Sequence, residues 1–308
     1  PQFTSGSIST TGETICYGGN PTVIASSTLA SGGDETITYK WQLSTTNSSS
    51  GFSDIESTDN QSYDPPNGLT QTTWYRRLAK DGTCNTTFET STGVWQISIT
   101  PIEVWVDGSY TDQTAGWGLT HFNDLTTALT KVCNPGTVNI SNYSHTGDVD
   151  MTGYTFIIGA QDFELDGNLS GGLIRAINTG FLVLIPVQNS ELTFSVTDGT
   201  NNETVKITCL NNPSQNIKVR IKNNQNITGG LTNPMDLWDI RGQNSMNATI
   251  TFRIDKAQIA PKKIYNWSAL RWYNGTRYEL LPPDNVSVAE FDTYYEITVT
   301  GINQFSHE

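Results

Sequence analysis

Apolar and polar residues alternate in short runs over residues 1–100: Ile37, Tyr39, Trp41 and Leu43 in ITYKWQL, then Trp95, Ile97 and Ile99 in VWQISIT. A period of two marks strands with one buried face. The clusters SGGDE, TTNSSSG and PPNGL separate the runs as turns. From residue 101 the rhythm changes. EVWVDGSY reads as a strand, a Gly-rich loop follows, and Phe122, Leu125, Leu129 and Val132 recur at helical spacing. Asn123 or Thr120 is the expected helix cap, and Asn134-Pro135-Gly136 the stop. Short apolar pairs then recur between Gly, Asp and Asn corners, with Val149, Phe156 and Phe163 seven residues apart. That pattern predicts a short β-solenoid over 101–183. An open solenoid end exposes unpaired backbone and apolar side chains, so the helix is expected to cover it. The rival is a helix lying on an ordinary sheet. VKITCL, NIKVRIK, ATITFRI and YYEITVT alternate again and predict a second sandwich over 184–308.

The fold class expected is therefore all-β: an N-terminal sandwich over 1–100, a helix-capped solenoid over 101–183 and a C-terminal sandwich over 184–308. Composition agrees. Only 15% of the 308 residues are charged, and Gly, Ser, Thr and Asn favour short strands and turns over long helices. The formal net charge of -13 disfavours a nucleic-acid partner, because it repels a phosphate backbone. No apolar run is long enough to span a bilayer as a helix; GFLVLIPV, Gly180 to Val187, is short and contains proline. The opening PQFTSGS and the closing GINQFSHE suggest a mature chain or a segment of a longer one.

The four cysteines, Cys16, Cys84, Cys133 and Cys209, include no CxxC pair, which argues against zinc and thioredoxin-like chemistry. Cys16, Trp41 and Cys84 follow the order of an immunoglobulin-like domain, in which a Trp packs against a bridge between sheets. A Cys16–Cys84 disulfide would contribute about 4 kcal/mol in the chain-entropy model. Because Cys84 stands at a strand end, the bridge would clip loops rather than cross the core. Two unpaired cysteines are the alternative. Sequons at Asn47, Asn60, Asn85, Asn139, Asn226 and Asn274 fit an extracellular setting.

Catalytic patterns are sparse. The three histidines are far apart, and there is no His-x-x-x-His, Gly-x-Ser-x-Gly, Walker or dinucleotide motif. The expectation is a non-enzyme. Asp148 and Asp150 read as solvated corner residues, with a calcium or sugar site on the solenoid wall as the alternative; Asp236 and Asp239 flank Trp238 and share no strand face. Asp162, Glu164 and Asp166 alternate with Phe163 and Leu165, which places three carboxylates on one exposed face as a candidate calcium site. Trp267, Trp272 and Tyr273 are candidates for stacking on sugar rings. One of Arg76 and Arg77 is expected to face solvent.

ICYGGNP, YKWQ, FSDIES and SYDPPNGLTQTTWYRRLAKDGTC resemble the immunoglobulin-like repeat of very large surface proteins in gliding, type IX-secreting Bacteroidetes. Ile55-Glu56-Ser57-Thr58 departs mildly from the usual I-x-G-A-like turn. WVDGSYTDQTAGWG, HFNDLTTAL and GTVNI resemble the entry segment of bacterial right-handed β-helix proteins. LIPV, LWDIRG, ATITFRID, ALRWYNGTRYELL and ITVTGINQFS resemble the terminal sandwich beside the sorting region of the same surface proteins, with Tyr278 where the hairpin usually has Trp. The resemblance implies an adhesin segment at the cell surface, with surface adhesion or gliding as its role. The implied partners are a surface ligand or glycan and the secretion and motility machinery of the envelope. The alternatives are a carbohydrate-binding or polysaccharide-processing extracellular protein, and a secretion-machine client captured as a fragment.

Overall fold

The computed structural model describes residues 2–83, 85–167, 169–175, 180–184, 191–197, 202–209, 217–222, 237–241, 248–256, 271–273, 278–280 and 283–302. The protein is all-β, with one short α-helix among the described residues, and divides into two compact units, Pro1–Ile102 and Glu103–Glu308. Among the described residues no helix is long and apolar enough to cross a membrane.

Unit 1 contains β1 (Ser7–Ile8), β2 (Glu13–Cys16), β3 (Ser26–Thr28), β4 (Thr38–Ser44), β5 (Ser53–Asp54), β6 (Thr73–Lys80), β7 (Glu89–Thr90) and β8 (Trp95–Thr100). One sheet runs β2-β8-β6-β4-β5, with β7 also on β6; the small second sheet is β1-β3. Strand alternation sends Trp41, Tyr75 and Ile97 inward, where they pack with Ile8 and Ile24. Trp41 stacks on Tyr63 with ring centroids 5.6 Å apart, and its Nε1 donates to the Asn60 carbonyl at 2.9 Å.

Unit 2 opens with β9 (Glu103–Asp107), β10 (His121–Phe122) and α1 (Leu125–Lys131). Three-sided coils follow: β11 (Gly136–Ser141), β12 (Tyr143–Thr146) and β13 (Val149–Asp150); β14 (Tyr154–Ile158), β15 (Phe163–Asp166) and β16 (Leu169–Ser170); then β17 (Leu173–Arg175) and β18 (Leu182–Leu184). Each strand pairs parallel and in register with its counterpart in the next coil. Val104, Val138, Phe156 and Ile174 form one inward ladder, and Val106, Ile140 and Ile158 another. The seven-residue steps from Val149 to Phe156 to Phe163 are successive sides of the coil: β13, β14 and β15.

The helix packs against β9 and β10 and buries Leu125, Ala128 and Val132 in the same core. Its N-cap is Asp124, not Asn123 or Thr120: Asp124 Oδ1 accepts from the Thr127 amide at 2.7 Å. Phe122 belongs to β10, before the helix begins, yet joins the same cluster.

The remaining strands are β19 (Glu191–Thr197), β20 (Asn202–Cys209), β21 (Ile217–Lys222), β22 (Leu237–Arg241), β23 (Ala248–Asp255), β24 (Arg271–Tyr273), β25 (Tyr278–Leu280), β26 (Val286–Glu290) and β27 (Tyr294–Ile302). Two coil sheets continue into them without a break. One is ten-stranded, β10-β9-β11-β14-β17-β19-β20-β23-β27-β26; the other is β12-β15-β18-β21-β22. Pairing changes from parallel to antiparallel after β19 in the first sheet and after β18 in the second. Ile217, Ile240, Ile250 and Val299 share one buried cluster with the coil residues. The sheets therefore cross the division expected near residue 183. The last coil's free edge is taken up by further strands instead of being left exposed.

Candidate functional site

The solenoid wall carries a surface hollow of about 580 Å3, lined by Asn142, Tyr143, Ser144, Ala160, Gln161, Asp162 and Glu164. It forms where β12 lies beside β15 in parallel register. Alternation on β15 buries Phe163 and Leu165 and turns Glu164 and Asp166 outward. Glu164 Oε2 accepts from Ser144 Oγ at 3.0 Å. Gln161 donates its amide N–H to Ser141 Oγ at 3.0 Å. Asn142, in the left-handed region at φ 48°, donates its side-chain amide to Asp107 Oδ1 at 3.1 Å. Tyr143 is half-buried, and its hydroxyl receives the Leu125 amide at 3.0 Å. The rim thus presents hydroxyl, amide and carboxylate groups over a rigid parallel ladder, an arrangement suited to hydrogen-bonding a polyhydroxyl ligand.

The three carboxylates proposed as a calcium site do not act together. Asp162 precedes β15; its Oδ1 accepts the Phe181 amide at 2.9 Å and its Oδ2 the Lys218 ammonium at 3.0 Å. Asp162 is thus engaged by an ammonium and a backbone amide. Glu164 is turned to Ser144, and among the described residues no group of three or more His, Cys, Asp or Glu could hold a metal ion.

Of the glycan-stacking candidates, Trp267 lies outside the described residues. Trp272 and Tyr273 fall on β24, opposite Glu279 and Tyr278 of β25; their side chains are outside the description. His121 stacks on Trp105 at 5.0 Å between centroids, with Nδ1 3.0 Å from Thr120 Oγ. His145 stacks on Tyr143 at 6.2 Å.

The described half-cystines are Cys16 and Cys133, so Cys133, to which the sequence reading assigns no partner, is disulfide-bonded. Cys84 lies outside the described residues, and the expected Cys16–Cys84 bridge falls outside them at that end. β2, which carries Cys16, and β6, which precedes Cys84, belong to one sheet with β8 between them.

Two features of unit 1 escape sequence reasoning. Arg77 is completely buried. Its guanidinium donates to Ser91 Oγ at 3.1 Å and to the carbonyls of Gln61, Ser7 and Thr28 at 3.0, 3.3 and 3.0 Å, as well as to Ser26 Oγ. It lies over the Tyr39 ring at 4.8 Å, and burial pushes its pKa down from the ordinary value. The fork ties the β1-β3 sheet to β6. The second feature is Asp34. Thr83 Oγ donates to it at 2.6 Å and the Thr36 amide at 2.9 Å. These bonds, the hydroxyl first, hold its carboxyl well below the usual carboxylate range. Residue adjacency reveals only the Thr36 contact; Thr83 and the acceptors of Arg77 stand far away in the chain.

Residues 4–101, nearly all of unit 1, match a family model described as a domain of unknown function (DUF8696). No curated protein and no solved structure matches the chain.

Proposed function

We infer that this chain is a non-catalytic structural and adhesive segment of a large secreted or cell-surface protein, exported by a type IX-like route and serving surface adhesion or gliding. The observation that carries the reading is the continuity of the unit 2 core. One ladder of inward apolar residues runs from the helix through the coils into the antiparallel strands. Hydrogen bonds of Ser141, Ser144, Asp162 and Glu164 brace the coil wall around this ladder. A rigid in-register stack suits spacing and contact. Unit 1, with Trp41 at its centre, is read as an immunoglobulin-like module of the same surface protein.

A second reading, carbohydrate binding, is favoured by the hollow beside Glu164, whose rim chemistry matches sugar hydroxyls. The test coats beads with the intact chain and measures their retention under flow on glass, on chitin and on polysaccharide-coated surfaces. The adhesive reading expects retention above that of albumin-coated beads on at least one surface. Retention equal to albumin on all of them would refute it.

A further inference from the structure

Residues 1–102 contain four basic side chains: Lys40, Arg76, Arg77 and Lys80. Arg77 points into the core; alternation places the other three on the opposite, outer face of the large sheet. The register makes them a ladder. Lys40 lies opposite Leu78, midway between Arg76 and Lys80 on the neighbouring strand. Arg76 and Lys80 are thus about 13 Å apart along the strand, with Lys40 staggered between them.

Aromatic rings hold the charged heads in place. The Arg76 guanidinium lies 4.1 Å over the Phe52 ring, and the Lys40 and Lys80 ammoniums lie 4.6 and 4.9 Å from the Phe88 centroid. Such stacking lowers the ordering cost that flexible cations meet on binding an anion. One acid, Asp54, joins the face and accepts from Lys40 at 2.8 Å and from Gln42 at 2.6 Å. Among the described residues, Arg76 and Lys80 take part in no ion pair. In a chain of net charge -13, this face gathers all the outward positive charge of its unit.

We propose that the outer face of the β4–β6 sheet is a docking surface for an acidic polysaccharide, its sugar carboxylates or sulfates meeting Arg76, Lys40 and Lys80 in turn. The proposal rests on the adhesive reading and names the class of surface ligand. A linear polyanion fits charges set out along one strand direction. The partly buried Trp74 and the amide of Gln96, on the same face, supply the stacking and hydrogen-bonding that sugar rings use, while Gln42 accepts from Arg76 Nε at 2.7 Å and orients that guanidinium. Nucleic acid is disfavoured by the net negative charge. A second copy of this acidic chain would match the charge but makes no use of a linear ladder.

The experiment uses the whole chain and measures binding to polygalacturonate, heparin and neutral dextran by interferometry at two salt concentrations. Carboxylate-bearing and sulfate-bearing ligands are thereby separated. The expected result is salt-sensitive binding to at least one acidic polysaccharide and none to dextran. Arg76→Gln with Lys80→Gln should weaken it at least tenfold, while Arg76→Lys with Lys80→Arg retains it. Lys131→Gln with Lys256→Gln, the same change in charge placed in unit 2, should leave it unaltered. Circular dichroism confirms that each variant is folded. Equal loss in the unit 2 variant, no loss in the Gln pair, equal binding to dextran, or no polysaccharide binding beside a dimer that the Gln pair dissociates would each overturn the proposal. If beads adhere under flow but acidic polysaccharide neither binds nor competes, the proposal fails and the adhesive reading stands.

Discussion

Lys218 Nζ lies 3.0 Å from Asp162 Oδ2, so β21, the first antiparallel strand of its own sheet, is ion-paired to the residue just before β15. Both side chains are about one-third exposed, at 34% and 30%. The pair sits where β18 and β21 exchange parallel for antiparallel pairing, and Asp162 also accepts the Phe181 amide.

Replacing Asp162 with Ala removes both bonds. Solvent screening keeps the ion pair itself small, so the expected loss is about 1–2 kcal/mol, most of it from the Phe181 amide. Urea unfolding checks this. Adding calcium should leave the difference between Asp162→Ala and the parent chain unchanged.

Arg77 offers a larger effect. Arg77→Met leaves the carbonyls of Gln61, Ser7 and Thr28 without their donor in a fully buried place, at a cost of about 3 kcal/mol or more. Arg77→Lys keeps the charge but cannot span the same acceptors, and should recover only part of the loss. Thermal unfolding of the intact chain reads both variants.

The coil corners before β14 and β17 depend on glycine. Gly153 and Gly172 have φ of 84° and 62°; a Cβ on Gly172 would stand 2.3 Å from the Met151 carbonyl oxygen. Gly172→Ala is expected to destabilise the chain by about 1–3 kcal/mol, whereas Gly68→Ala, with open space around it, should cost less despite a similar φ. Paired denaturation curves decide.

Acid should weaken the fold through two carboxylates. Asp34 is held low first by the Thr83 hydroxyl, and Asp124 first by the Thr127 hydroxyl. A depressed folded-state pKa means stability that is present above the ordinary value of 3.8 and lost as pH falls through the folded value. Unfolding midpoints should therefore drop between about pH 4 and pH 2. Asp34→Asn and Asp124→Asn should each flatten that slope.

Alkali acts on Tyr75, whose phenol is pushed up to about 12, chiefly by burial and then by Tyr63. A raised value gives stability that is complete below the ordinary value of 10.0 and lost as pH climbs through about 12. Ultraviolet titration should show a tyrosine fraction that ionises last, and Tyr75→Phe should remove it.

Legibility followed the range of the interactions. The strands of unit 1 and the seven-residue beat of Val149, Phe156 and Phe163 show in the sequence because alternation and corner residues are local. The helix shows too, but its cap does not: Thr120, Asn123 and Asp124 all have the side chain for it, and only the approach to Thr127 selects Asp124. Alternation says that Arg76 and Arg77 face opposite ways, but not that β1 and β3 bring carbonyls to Arg77. The carboxylate row was read correctly for Glu164 and Asp166. The ammonium on Asp162 is not legible, because its partner Lys218 arrives from a distant strand.

The inward ladder Val104, Val138, Phe156 and Ile174 repeats the same neighbours from coil to coil. Adding or deleting one entire turn would keep the inward face inward between α1 and β19, whereas one residue inserted within a strand would turn its later side chains to the other face. The reach of this module is therefore quantised, and evolution or an engineer could lengthen it in whole increments without redesigning either cap.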